Sequence, residues 1–220
     1  MSAIGIATHY EPRWAPALSI VAVIALLAVL PHHVQIAPRW ISYAVASAIL
    51  VSMAGVTFST GETARFWLRI ERIVIILFAA AYVANTALEL ADMIGIITLN
   101  PPETRVVSLL SSSLAIWITN VLAFALIYWQ LDRGGPVARA HADNYPDWLF
   151  PQAASPGVAP PDWRPLFLDY LALAYNTATA FSPTDALPLT RRAKMLMTLE
   201  SAISLLTLVI VAARAINALP

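Results

Sequence analysis

The chain has no cysteine, one lysine and few charges of either sign. Without cysteine there are no disulfides, zinc–thiolate sites, iron–sulfur clusters or thiol nucleophiles, and the redox compartment stays open. Charged residues make up 12% of the sequence, against about 25% in soluble domains. Hydrophobic residues make up 59%, and the mean hydropathy is +0.70. A soluble chain of 220 residues has too little interior for that apolar surface. A water-soluble enzyme and a disordered chain are therefore excluded as defaults. Thirteen basic and thirteen acidic residues cancel, so no nucleic acid or other polyanion is implied as partner. There is no glycine-rich phosphate loop, His-Glu-x-x-His or Gly-x-Ser-x-Gly. Ser111-Ser112-Ser113 has no histidine in a clear apolar run to act as base, and reads as small residues at a helix interface. No catalytic residue, metal site or cofactor is expected. Twelve of the thirteen basic residues are arginine, which suggests a GC-rich bacterial genome.

What is abundant is long apolar runs. A membrane-spanning helix needs about 20 mostly apolar residues. Residues 15–30 form a run of 16, 40–58 of 19, 73–99 of 27, 106–131 of 26 and 195–219 of 25. The expectation is an all-α integral membrane protein with about five transmembrane helices. The first is expected to be retained, since one arginine precedes it and no small-x-small site follows directly. Residues 166–181 form a sixth run of 16 containing Asp169 and Asn176. At about 1.5 Å per residue it is short for a crossing and reads as a re-entrant half-helix ended by Ser182-Pro183-Thr184-Asp185. Non-helical backbone at membrane depth belongs beside protein or a watery cavity. Residues 59–72 place Arg65, Arg69 and Arg72 at helical spacing, with Phe66, Trp67 and Ile70 between them. They read as an interfacial helix or the wet start of the third span. Residues 132–164, with prolines at 136, 146, 151, 156, 160 and 161, read as a loop too proline-rich for helix or central strand.

From residue 166 the chain reads LFLDYLALAYNTATAFSPTDALPLTRRAKMLMTLESAISLLTLVIVAARAIN. This resembles the pore module of potassium channels, whose signature is T-x-T-T-V-G-Y-G-D-x-x-P-x-T. Thr177, Thr179, Asp185, Pro188 and Thr190 fall in that frame without a gap, and Lys194 precedes the last apolar run. The resemblance covers about the last quarter of the chain. It implies two parts: 1–105 with three N-terminal helices, and 106–220 as a channel-like module. That module would comprise an outer helix 106–131, a loop 132–164, a pore half-helix 165–181, a filter-like turn 182–190 and an inner helix 194–219. It also implies a homo-oligomer, tetrameric by resemblance. The filter-like residues are Thr177, Thr179, Ala180, Phe181, Ser182, Pro183, Thr184 and Asp185. The family's two glycines, which let its backbone turn carbonyls inward, are Ser182 and Thr184 here. Pro183 replaces the aromatic residue and Phe181 the valine. Such a turn implies a wider, hydrated, weakly selective cation path or a plugged one, and potassium selectivity does not carry over. An ordinary hydrophobic hairpin with a Ser-Pro-Thr-Asp turn is the alternative.

Two further polar sets lie in the apolar runs. Asn85, Glu89 and Asp92 share one helical face and read either as an intramembrane cation or proton site, or as the interfacial end of a span that stops near Leu88. Glu200, Ser204 and Thr207 form a stripe on the last helix, which fits the lining of a pore or an interhelical hydrogen-bond seam. His32 and His33, being adjacent, point apart on a helix and make poor joint ligands.

With five spans and the filter outside, as the family has it, ten basic residues fall outside and three inside, opposite to the positive-inside bias. The charge pattern favours an inverted five-span protein or a six-span one. The sequence thus points to a multi-pass protein of a bacterial inner membrane, with lipid as solvent, inorganic cations as passengers and a channel-like function. A non-conducting scaffold or partner subunit is the alternative, as is a small proton-coupled transporter using Glu89 and Asp92.

Overall fold

The computed structural model describes residues 11–29, 39–99, 106–140, 145–155, 157–160, 163–179 and 186–217. Their regular elements are helices apart from one pair of two-residue strands. The elements in order are α1 (Trp14–Val29), α2 (Arg39–Phe58), α3 (Gly61–Leu99), α4 (Val106–Leu131), a 3-10 turn (Asp132–Gly134), α5 (Pro136–Ala140), β1 (Trp148–Leu149), α6 (Pro151–Ala154), α7 (Phe167–Thr179), β2 (Leu187–Pro188) and α8 (Arg191–Asn217). Among the described residues, two helical stretches are long and apolar enough to cross a membrane by length and composition, Ser113–Gly134 and Arg191–Ala212. Trp14–Leu26 and Tyr43–Phe58 are apolar but shorter.

Helix α4 is the axis of the molecule. In its C-terminal half Phe124, Leu126, Tyr128 and Trp129 are fully buried, because α1, α3, α7 and α8 surround it. Helix α2 packs on α3, where Gly55 makes room for the Trp67 ring. A Cβ at residue 55 would lie 2.4 Å from Trp67 Cδ2. Gly61–Arg72 are continuous with the rest of α3.

At the end of α4 the chain reverses through Arg133, Gly134 and Gly135, all at positive φ. The segment that follows is more ordered than its prolines suggest. Pro136 and Pro151 open α5 and α6, where a missing N–H costs nothing because the first helical donors have no partner in the helix. β1 pairs antiparallel with β2, Trp148 opposite Pro188 and Leu149 opposite Leu187. A ladder of two residues on a free edge tolerates that proline. The described helix of the sixth run, α7, is shorter than the expected 165–181. Pro165 precedes it, and Asp169 Oδ2 accepts the Leu166 N–H at 2.7 Å, the reaching-back half of a capping box.

The ends of α7 decide the topology. Its first turn lies at the C-terminal end of α4, where Phe167 packs edge-on against Trp129 and the Tyr170 hydroxyl meets Asp132. It then runs antiparallel to α4, so that Tyr175 reaches Trp117. Past residues 180–185, which lie outside the described residues, the chain is again at the C-terminal end of α4. There β2 pairs with β1, and Thr190 and Arg192 bind Asp147. From that end α8 runs back along α4, Glu200 meeting Tyr128 and Ser204 meeting Asn120.

Candidate functional site

A buried polar clamp ties five helices together at one end of the molecule. Asp132, just past α4, and Asp147, just before β1, are fully buried. Asp132 Oδ1 accepts the Asp147 backbone N–H at 2.7 Å, and its Oδ2 accepts the Tyr170 hydroxyl. Asp147 in turn accepts Thr190 Oγ1 and Arg192 Nε, both at 2.6 Å, and Arg192 Nη2 on its other oxygen. The first turn of α7 and the segment after the helix are thus fixed to one pair of carboxylates.

Glu11 and Arg139 form the second half of the clamp. Glu11 Oε1 accepts the Phe167 N–H at 2.6 Å, and its Oε2 accepts Trp129 Nε1 at 2.9 Å and Arg139 Nη2 at 3.1 Å. A carboxylate at the first turn of α7 also complements the positive end of the helix dipole. Arg139 stacks over the Tyr170 ring, 4.9 Å from its centroid, and donates to the Trp129 carbonyl at the end of α4. Arg13 before α1 faces Glu71 in α3 at 3.3 Å, both buried, and Gln130 of α4 donates to the same carboxylate. Burial pushes the Glu71 carboxyl above the usual carboxylate range, and the Arg13 guanidinium pulls against that rise. Arg72 donates to the Gly134 carbonyl at 3.0 Å. The starts of α1, α7 and α8, the Glu71 turn of α3 and the end of α4 therefore share one end of the molecule.

The stripe Glu200, Ser204 and Thr207 is buried inside the chain against α4. Tyr128 donates to Glu200 Oε2, and Asn120 Nδ2 donates to Ser204 Oγ at 2.9 Å. Of the two arrangements open from sequence, the contacts make an interhelical seam, and the expected lining residues do not face outward. The reason is visible on the other side of α8. Met195, Leu199, Leu205, Leu206, Leu208 and Val209 are exposed there, so the helix turns its polar face inward. Ser201 Oγ donates to the Thr177 carbonyl at 3.0 Å and joins the seam to α7.

Thr177 and Thr179 lie in the last turn of α7, and their hydroxyls donate back to Leu173 and Asn176 carbonyls of the same helix. Ala180, Phe181, Ser182, Pro183, Thr184 and Asp185 lie outside the described residues. Asn85, Glu89 and Asp92 belong to α3, but their side chains are outside the described residues. Among the described residues no group of three or more His, Cys, Asp or Glu is placed to hold a metal. An open apolar cleft of about 520 Å³ lies between α4 and α7, bounded by Trp117, Val121, Leu168 and Tyr175.

Sequence reasoning missed the clamp. Glu11, Arg13, Glu71 and Asp132 sit near the edges of apolar runs, and Arg139 and Asp147 in the proline-rich segment 132–164, where charges are ordinary. Asn120 and Gln130, polar residues inside the fourth run, were the available signal. No protein-family model, curated protein or solved structure matches the chain.

Proposed function

We propose that the chain is a multi-pass protein of a bacterial inner membrane, with five spans and one re-entrant half-helix, and that it works as a homo-oligomeric, channel-like protein. The observation that carries this reading is the fixing of the first turn of α7 to Asp132, and of the segment after α7 to Asp147, at one end of α4. A half-helix that enters and leaves on one side is the part that brings short, non-helical backbone to membrane depth, where it lines a water-filled path. Copies placed around an axis would put 179–185 at the constriction, with hydroxyls of Ser182 and Thr184 and the carboxylate of Asp185 partly replacing a cation's water shell.

Membrane residence is supported by the inside-out pattern of the helices. Glu200, Ser204, Thr207, Ser52, Ser19 and Thr86 are buried, while Leu205, Val209, Val51, Leu18, Val21 and Leu77 are exposed. Water would impose the reverse arrangement; hydrocarbon favours this one. The clamp end also gathers Arg65, Arg69, Arg72, Arg133, Arg139, Arg164, Arg191, Arg192 and Lys194. The positive-inside bias then places the clamp in the cytoplasm, with the half-helix entering from that side. That is inverted relative to the family resembled.

The test is cation flux into proteoliposomes containing the purified full chain. The reading predicts flux above protein-free vesicles, altered by Asp185→Asn and by Pro183→Gly. Wild-type flux equal to the protein-free background overturns conduction. A non-conducting scaffold is the second reading, and the inward-facing Glu200 stripe favours it, because from Leu199 to Val209 the exposed residues of α8 are all apolar.

A further inference from the structure

The α4–α8 seam contains an acid with no counter-charge among the described residues. Glu200 has no exposed surface. Its Oε2 accepts the Tyr128 hydroxyl, while Oε1 is buried without a hydrogen-bond partner among the described residues. Beside it, Asn120 is 1% exposed, and its Oδ1 is the second unsatisfied oxygen. The Asn120 amide nitrogen lies 3.5 Å from the Glu200 backbone carbonyl oxygen and 2.9 Å from Ser204 Oγ, so Asn120 packs against the Glu200 turn of α8. Tyr128 is the titratable group facing Glu200 from α4. The polar contact from α7 at this level is the Thr177 carbonyl, held by Ser201. From α3, α7 and β2, no charged side chain among the described residues makes an ion pair with Glu200. Above the site, the Trp148 ring covers Tyr128 at 4.7 Å between centroids.

A carboxylate here would be a buried, unpaired charge, the most costly arrangement a protein interior can hold. One added proton removes that charge and turns an orphan acceptor into a donor. It also supplies the kind of group that the Asn120 oxygen lacks. We infer that Glu200 is a proton-binding site, held as a neutral carboxylic acid whose O–H on Oε1 serves Asn120 Oδ1 while Oε2 accepts from Tyr128. The ligand is a proton, and the site joins α4 to α8 one residue from the Ser201 contact with α7. This inference rests on burial and hydrogen bonding, and stands whether or not the protein conducts.

Infrared difference spectroscopy of the full chain in detergent at neutral pH tests it. The wild type minus Glu200→Gln spectrum is expected to show loss of one protonated carboxylic acid C=O band. Tyr128→Phe is expected to shift that band upward, because its carbonyl loses a donor, and to leave its intensity. Glu200→Gln keeps the shape and the donor, so its melting temperature is expected to match the wild type. If the variant instead loses intensity in the ionised carboxylate region, or melts well below wild type while Tyr128→Phe shifts no acid band, Glu200 is a carboxylate and the inference is overturned.

Discussion

At the scale of single residues, Asp132 holds the most. It satisfies a buried backbone N–H and a buried phenol at once, and each group left without its partner costs about 1–3 kcal/mol. Asp132→Ala is therefore expected to lower the melting temperature in detergent strongly, and Tyr170→Phe more mildly, the latter by about 2 kcal/mol for a hydrogen bond to a charged group. Thermal melts followed by circular dichroism check both; an Asp132→Ala melt equal to wild type would contradict the clamp. Glu71 makes a prediction in pH. Burial raises its folded carboxyl above the ordinary value, with Arg13 opposing. Between those two values the folded state holds more protons than the unfolded state, so its contribution to stability falls as pH rises through that window. The wild-type melting temperature is expected to decline from acid to neutral pH more steeply than that of Glu71→Gln, and parallel curves would refute this. None of these pairings was legible beforehand. Arg13 and Glu71 are 58 residues apart and Asp132 and Tyr170 are 38 apart, and one sequence holds no sign of which distant charges meet.

At the scale of elements, far more was legible, because apolar length and proline position act locally. The runs 106–131 and 166–181 announce α4 and α7 by composition alone, and Asp169 stands out as the acid in an otherwise apolar stretch. Its use as a cap on the Leu166 N–H follows from its place three residues into the helix. Asp169→Ala is expected to cost about 1 kcal/mol, as lost caps do, read as a small drop in melting temperature. The prolines of 132–164 misled for a physical reason: proline breaks helix interiors but suits helix starts. Close packing of α2 on α3 was hidden as well, since Gly55 carries no signal until Trp67 is seen against it. A methyl at residue 55 would lie 2.4 Å from the indole, so Gly55→Ala is expected to destabilise by about 1–3 kcal/mol through overpacking. Trp67→Leu in the same chain is expected to recover part of that loss. If Gly55→Ala alone melts like wild type, the two helices do not meet there.

At the scale of the whole molecule, the account depends on where the chain crosses. Starts of helices and their returns alternate between the clamp end and the far end, and α7 is the exception, held at the clamp end on both sides. Sequence could not decide this, because 16 apolar residues are short for a crossing yet not too short to exclude one, and the charge bias fitted either an inverted five-span or a six-span chain. The absence of cysteine supplies a clean test, since any introduced cysteine is the sole thiol. Val158 and Leu189 lie before and after α7, and both are exposed. The most direct measurement is labelling of Val158→Cys and Leu189→Cys by a membrane-impermeant maleimide in vesicles of known orientation. Both are expected to react from one and the same side, the cytoplasmic one; reaction from opposite sides would mean that α7 crosses the membrane, and the re-entrant account would be wrong.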